Sequence, residues 1–338
     1  MNVLVIGGTR FMGPHVVRQL TEAGHTVMVY HRGESHAPLP DGVAHLHGDR
    51  AELSKHADAI DRFAPDIVLD MILLTEQDAV RCVNFFTGRT GRLVVVSSAD
   101  VYRNMELLRK TDTGPVDPAR LTEESPLRQN FYPYRTDSSH PSDWLYDYDK
   151  ILVEGALRDQ ANLPWSILRL PMVYGPGDRQ HRLFPYLKRM DDHRPAILMA
   201  TEQLTARWCR GFVENVASAI TLAVTDKRAA NRVYNVAEPE ALTEKEWVEA
   251  IGVAAGWHGE IIGLPEDKLP AHLTQKLDYR HHLDLDSSRI REELGYEEPV
   301  LRAEALRRTI EWQRANPPEA IKDANFDYDA EGAAIAES

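Results

Sequence analysis

A short apolar run, VLVI at residues 3–6, passes directly into the glycine turn GGTRFMG at 7–13 and then into an amphipathic stretch. No other feature constrains the fold as tightly. Consecutive apolar residues read as a strand buried on both faces, which a parallel sheet covered by helices provides. Gly7 permits the tight turn, and Gly13 lets the next helix approach the strand. Pro14 suits a first helical turn, Val16, Val17, Leu20 and Ala23 share one face, and Gly24 suits the stop. A strand, a glycine turn and a helix in this order aim the helix N-terminus at a phosphate, with free N–H groups and a positive dipole end.

The pattern then repeats. Apolar runs at 26–30, 43–47, 67–70 and 93–97 alternate with helical periodicity, and 165–170 and 232–236 look like later strands of the same sheet. Such alternation reads as βαβ units and an α/β fold. Residues 103–143 break the rhythm with Pro115, Pro118, Pro126, Pro133 and Pro141, and a loop of that length suggests a functional cover. Beyond about Pro171 the segments are less regular, with helices expected at 244–255 and 302–314. The tail at 317–338 is acidic and alanine-rich, and is expected to lie on the surface or be disordered.

Composition narrows the class. The 338 residues carry 39 basic and 52 acidic side chains, a net charge of −13, which argues against a nucleic-acid partner. Cys82 and Cys209 are the only cysteines, so no disulfide framework is expected and a reducing, cytoplasmic setting is. The N-terminus lacks the basic region of a signal peptide, and no run of 18 apolar residues suggests a membrane span.

The cofactor reading follows from the turn and from the ends of the next two strands. Gly7, Thr9, Arg10, Phe11, Met12 and Gly13 form the expected phosphate cradle. The second strand ends in Tyr30-His31-Arg32, without the acid that often binds an NAD ribose diol. Arg10 and Arg32 therefore flank the place of a ribose 2′-phosphate, so NADP is the preferred cofactor and NAD possible. Asp49, beside Arg50, closes the third strand and can accept an adenine amino group; a plain turn residue is the equal alternative.

The chemistry rests on three residues. Tyr146 and Lys150 stand at i and i+4, a spacing that places phenol and ammonium on one helical face. The lysine charge then favours phenolate and makes Tyr146 an acid–base catalyst. Ser98, at the end of the fifth strand, can bond the same substrate oxygen.

With these residues the chain resembles the extended short-chain dehydrogenase/reductases of the NAD-dependent epimerase/dehydratase family. The matching segments are GGTRFMG at 7–13, HGD at 47–49, VVVSSADVY at 94–102, YDYDK at 146–150, LRLPMVYGPGD at 168–178, RGFVENVA at 210–217, RVYNVAEPEALTEKEW at 232–247, LGYEEP at 294–299 and TIEWQRANP at 309–317. The resemblance implies a Rossmann doubly wound parallel sheet with a smaller C-terminal substrate-binding domain. The dinucleotide-binding part would be 1–170 with a return segment about 210–238, and the substrate part 171–209 and 239–316, with 103–143 inserted as a lid. It implies Ser98, Tyr146 and Lys150 as the catalytic set, the backbone of Pro171 and Val173 near the nicotinamide, and a homodimer.

The family pattern is broken in places. Arg10 replaces the central glycine of GxxGxxG, Met172 stands where an Asn often helps hold a nucleotide-sugar, and Asp-Met-Ile-Leu at 70–73 replaces His-x-Ala-Ala. Asp100 occupies the place of an acid that family dehydratases use in eliminating water, although a turn or helix cap is the simpler reading. Asp147 and Asp149 read as a solvated helix face. The expected function is an NAD(P)-dependent epimerase or dehydratase acting on a sugar or nucleotide-sugar. The alternatives are an NADPH-dependent carbonyl reductase on a non-nucleotide substrate, which Met172 and the arginine pair favour, and a non-catalytic RNA-binding relative.

Overall fold

The computed structural model describes residues 1–34, 38–136, 139–321 and 325–337. Its strands are β1 (Asn2–Ile6), β2 (Thr26–His31), β3 (Ala44–His47), β4 (Ile67–Asp70), β5 (Arg92–Ser98), β6 (Trp165–Leu170), β7 (Met172–Tyr174), β8 (Ala196–Ala200), β9 (Arg210–Phe212), β10 (Arg232–Asn235) and β11 (Glu260–Leu264). Its helices are α1 (Met12–Glu22), α2 (Ala57–Phe63), α3 (Glu76–Phe86), α4 (Asn104–Leu108), α5 (Lys150–Arg158), α6 (Phe184–Asp191), α7 (Val213–Thr225), α8 (Glu244–Ala255), α9 (Ser288–Leu294), α10 (Arg302–Ala315) and α11 (Tyr328–Ala336).

Seven strands form one all-parallel sheet in the order β10-β6-β5-β4-β1-β2-β3. The chain runs outward from β1 to β3, then returns to place β4 on the other side of β1. This is a doubly wound Rossmann sheet, and the reversal opens a crevice at the C-terminal ends of β1 and β4. One face carries α1 and α7, the other α3 and α5. Each face buries its own apolar set: Val3, Val5, Val16, Val17 and Leu20 on the first, Leu4, Ile6, Cys82, Phe86 and Val153 on the second. The alternation along β1 is the period-two pleat of a strand covered on both sides.

Beyond β6 the chain adds two small parallel pairs, β7–β9 and β8–β11. Trp247, Val248 and Ile251 of α8 join the same apolar core as β1 and α1. Among the described residues, no helix is long and apolar enough to cross a membrane.

Two peripheral segments pack against this body. The segment after β5 is packed: Leu107, Leu108, Leu121 and Arg128 are buried, and isolated bridges pair Tyr102 with Leu127 and Leu121 with Leu285. The expected surface tail also folds over residues 325–337. Helix α11 docks through Glu331, which is 1 % exposed and accepts from Arg189 at 2.5 Å and lies 2.9 Å from the His272 ring. Phe326 packs edge-on to Phe184, and the Arg194 guanidinium covers the Tyr328 ring. Two aromatics and one buried ion pair hold a segment whose average composition suggests a solvated tail.

Candidate active site

The crevice at the switch point is a cleft of about 790 Å³ lined by Gly7, Thr9, Arg10, Tyr30, His31, Arg32, Glu34, Asp49, Arg50 and Trp144, among others. Gly7 takes φ +87°, and a Cβ there would lie 2.7 Å from Ile72. A Cβ on Gly13 would lie 2.5 Å from the Gly8 carbonyl carbon, so α1 can meet the turn only with glycine at that position. Phe11 opens α1 at φ 50°, an uncommon angle for a bulky residue. No side chain caps α1 among the described residues, and its first turn has no acid. The Gly13 N–H donates to the Arg10 carbonyl at 2.9 Å, and among the described residues the positive end of the helix carries no compensating side chain, an arrangement that favours an anion.

The remaining expected cofactor residues divide. Arg10 is exposed at the cleft wall. Arg32 pairs with Glu34 at 2.8 Å, with both side chains more than half exposed. Glu34 is thus an acid of the cleft, two residues past Arg32 and beyond the end of β2. Asp49 accepts the Ala51 N–H at 2.8 Å as the cap of a 3₁₀ turn, while still lining the cleft. Arg50 is held by the fully buried Asp70 at 2.7 Å and donates to the Ile72 carbonyl at 2.6 Å. Pro171 and Val173 are buried at the β6–β7 junction, apart from the residues that line this cleft.

The expected Tyr146–Lys150 helical face does not form. Helix α5 begins at Lys150, and Asp149 caps it by accepting the Ile151 N–H at 2.8 Å. Asp149 is wholly buried and also accepts from the Tyr132 N–H at 2.7 Å and from Arg128 at 3.3 Å. These contacts fix the helix start and correct its reading as a solvated acid. Asp147 remains exposed and pairs with Arg135. Tyr146 lies in the preceding turn, where the Arg135 guanidinium stands 4.2 Å from its ring centre.

Tyr148 occupies the position facing Lys150. It is 8 % exposed, its ring centre lies 5.9 Å from the lysine Nζ, and its hydroxyl donates to Asp100 Oδ2 at 2.8 Å. Tyr134 donates to the same oxygen at 3.2 Å. Asp100 is 4 % exposed, and among the described residues its Oδ1 has no hydrogen-bond partner. Ser98, not Asp100, makes the cap here: its hydroxyl accepts the Asp100 N–H at 3.2 Å. Lys150 donates to the Val96 carbonyl at 2.9 Å and to the Leu73 carbonyl.

Burial sets the protonation states. It raises Asp100 above the ordinary carboxyl range, against the opposing charge of Arg128. It lowers Lys150 to about 8, against the carboxylates of Asp100 and Asp70. Burial, then Asp100 and Tyr134, push Tyr148 well above an ordinary phenol, with the Ser98 hydroxyl acting the other way. The cluster thus combines a protonated phenol with a buried carboxyl that has one oxygen free for another proton or substrate group. Such mutually shifted groups are characteristic of acid–base sites.

Sequence reasoning passed over Tyr134, Tyr148, Arg128 and Glu34. A signal for Tyr148 was present: Asp149 stands directly before the apolar run KILVEGAL, as an N-cap does. That reading starts the helix at Lys150 and leaves Tyr146 outside it.

Comparison with known proteins bears on the family and the fold. The model of the NAD-dependent epimerase/dehydratase family matches residues 3–237. The 2′-dehydrokanamycin reductase of Streptomyces kanamyceticus is 27% identical over 281 residues, covering 79% of this chain and 70% of that one. The chloroplast stem-loop binding protein of 41 kDa b from Arabidopsis thaliana is 21% identical over 290 residues, covering 82% and 67%. The UDP-glucose 4-epimerase of Thermus thermophilus, solved in complex with NAD, superposes with a TM-score of 0.65 at 21% identity, covering 94% of this chain and 100% of that one.

Proposed function

The chain belongs to the NAD-dependent epimerase/dehydratase family, and from that premise we propose that it oxidises and reduces a carbinol carbon of a sugar or nucleotide-sugar, as an epimerase or dehydratase. The observation that carries the reading is the buried Asp100 carboxyl, shared by two phenols and with one oxygen unpartnered among the described residues; its neighbour Lys150 bonds the Leu73 carbonyl, next to Leu74 of the cleft wall. The crevice fits a dinucleotide: Gly7 and Gly13 have no room for a side chain, and α1 presents an uncapped end. Gly7, Thr9, Arg10, Phe11, Met12 and Gly13 would face the diphosphate, and Arg32, Asp49 and Arg50 the adenosine. Bound there, the nicotinamide supplies the hydride chemistry.

The chain's own residues manage the proton. Tyr148, protonated at rest, donates to the substrate oxygen as the carbonyl is reduced and takes the proton back in the reverse direction. Lys150 offsets the charge left on the phenolate. Asp100, already bonded to that phenol, returns a proton to it or protonates a leaving hydroxyl. Ser98 orients the substrate oxygen.

A second reading, a carbonyl reductase on a non-nucleotide substrate, is favoured by the likeness to the 2′-dehydrokanamycin reductase. Mass spectrometry of the natively purified protein separates the two. A dinucleotide retained near one per chain supports an internal redox cycle, and an empty chain that consumes NADPH with a ketone supports the reductase. Calorimetry showing no affinity for either dinucleotide overturns both readings.

NADP is the expected preference. Meeting a 2′-phosphate requires Arg32 to leave Glu34, an exposed pair worth about 0–1 kcal/mol. A charge-assisted contact to the phosphate returns about 1.5–3 kcal/mol, so the exchange is favourable and gives roughly tenfold tighter NADP binding. Calorimetric titration of wild type, Arg32→Ala and Glu34→Gln checks this. Arg32→Ala should erase the preference and Glu34→Gln enlarge it, while equal affinities in wild type rule it out.

A further inference from the structure

The parallel register of β2 and β3 places His31 directly opposite His47, and Val29 opposite His45. Side chains two apart on a strand share a face, so His45 and His47 stand side by side and His31 joins them from the neighbouring strand. The three rings sit in edge contact, with centroids 5.2 Å apart for His31–His45, 4.7 Å for His31–His47 and 6.3 Å for His45–His47. One ring nitrogen from each lies within 4.8 Å of the others, and His31 Nε2 is 2.9 Å from His45 Nδ1. β3 is an edge strand, and His45 and His47 are exposed, so the cluster is open to solvent on one side.

We propose that His31, His45 and His47 form a site for a divalent transition metal of the zinc, nickel or copper type, with water completing the coordination. Three imidazoles and no thiolate suit these borderline ions and not magnesium or calcium, which take oxygen ligands. Zn–N bonds of about 2.0–2.1 Å in tetrahedral geometry set ligand nitrogens roughly 3.3 Å apart. The 2.9 Å His31–His45 contact therefore has to open only slightly. Both strands belong to the rigid sheet, so the rings come pre-gathered and little chain entropy is lost on binding. Among the described residues one contact opposes this: the Gly33 N–H donates to His31 Nδ1 at 3.2 Å. Coordination through Nε2 puts the proton on Nδ1 and gives up that bond, worth about 0.5–1.5 kcal/mol. The site does not depend on the functional reading of the cleft, although His31 also lines the cleft wall.

The test is competition for Zn²⁺ against a chromophoric chelator at pH 7.5, using untagged protein. Wild type should bind one Zn²⁺ per chain, and His45→Gln and His47→Gln should each weaken binding at least tenfold. Both side chains are exposed, so metal-free melting temperatures should stay at the wild-type value. Nitrogen-15 spectra of the imidazoles should shift for these three residues alone among the histidines at one equivalent of Zn²⁺. The proposal fails if wild type takes up no Zn²⁺ at one equivalent, if other histidines shift in place of these, or if the His31→Gln/His45→Gln/His47→Gln triple variant binds as wild type does.

Discussion

Tyr148→Phe is expected to lower turnover by about 10²–10⁴-fold, the usual loss when a general acid–base group is removed, with dinucleotide affinity unchanged. Tyr146→Phe is expected to retain most activity. The phenol beside Lys150 and Asp100 is that of Tyr148, whereas Tyr146 rests in a turn against Arg135. Tyr148→Phe also leaves Asp100 with one donor fewer, so the melting temperature is followed in parallel to separate loss of chemistry from loss of fold. The decisive measurement is single-turnover hydride transfer in both variants. An inactive Tyr146→Phe and an active Tyr148→Phe would return the role to the residue at the i, i+4 spacing. That result would require the turn before α5 to rearrange when substrate binds.

Glu331→Ala is expected to destabilise the protein by about 3–5 kcal/mol, because it strands a buried guanidinium. Arg189 and Glu331 are 4 % and 1 % exposed, and the acid also meets His272. Differential scanning calorimetry should show a melting temperature lower by several degrees. The double variant Arg189→Met/Glu331→Met should recover much of the loss, since an apolar pair of similar volume can replace a buried ion pair. A Glu331→Ala protein that melts with wild type would mean that α11 adds nothing to the cooperative core.

The same contrast separates what was legible in the sequence from what was not. The β1–turn–α1 unit can be read residue by residue, because its constraints are local. A buried strand needs an apolar run, a tight turn needs Gly7, and the close approach of α1 needs Gly13. Alternation of apolar runs and helical periodicity indicates a parallel sheet, while the order β10-β6-β5-β4-β1-β2-β3 comes from the structure.

Which distant side chains meet depends on tertiary packing. The Tyr148–Asp100 contact spans 48 residues, Tyr134–Asp100 spans 34, and Arg189–Glu331 spans 142. Periodicity reports backbone geometry over a few residues and is silent on such pairs. The Tyr146–Lys150 spacing is valid only where a helix exists, and Asp149, secured by Arg128 and the Tyr132 N–H, starts that helix at Lys150. Local patterns therefore suffice for the sheet, the glycine cradle and the helix that follows Asp149. Which tyrosine the lysine faces, and whether the tail docks, is settled by packing, because burial makes an unpaired charge or hydroxyl costly and so selects partners from anywhere in the chain.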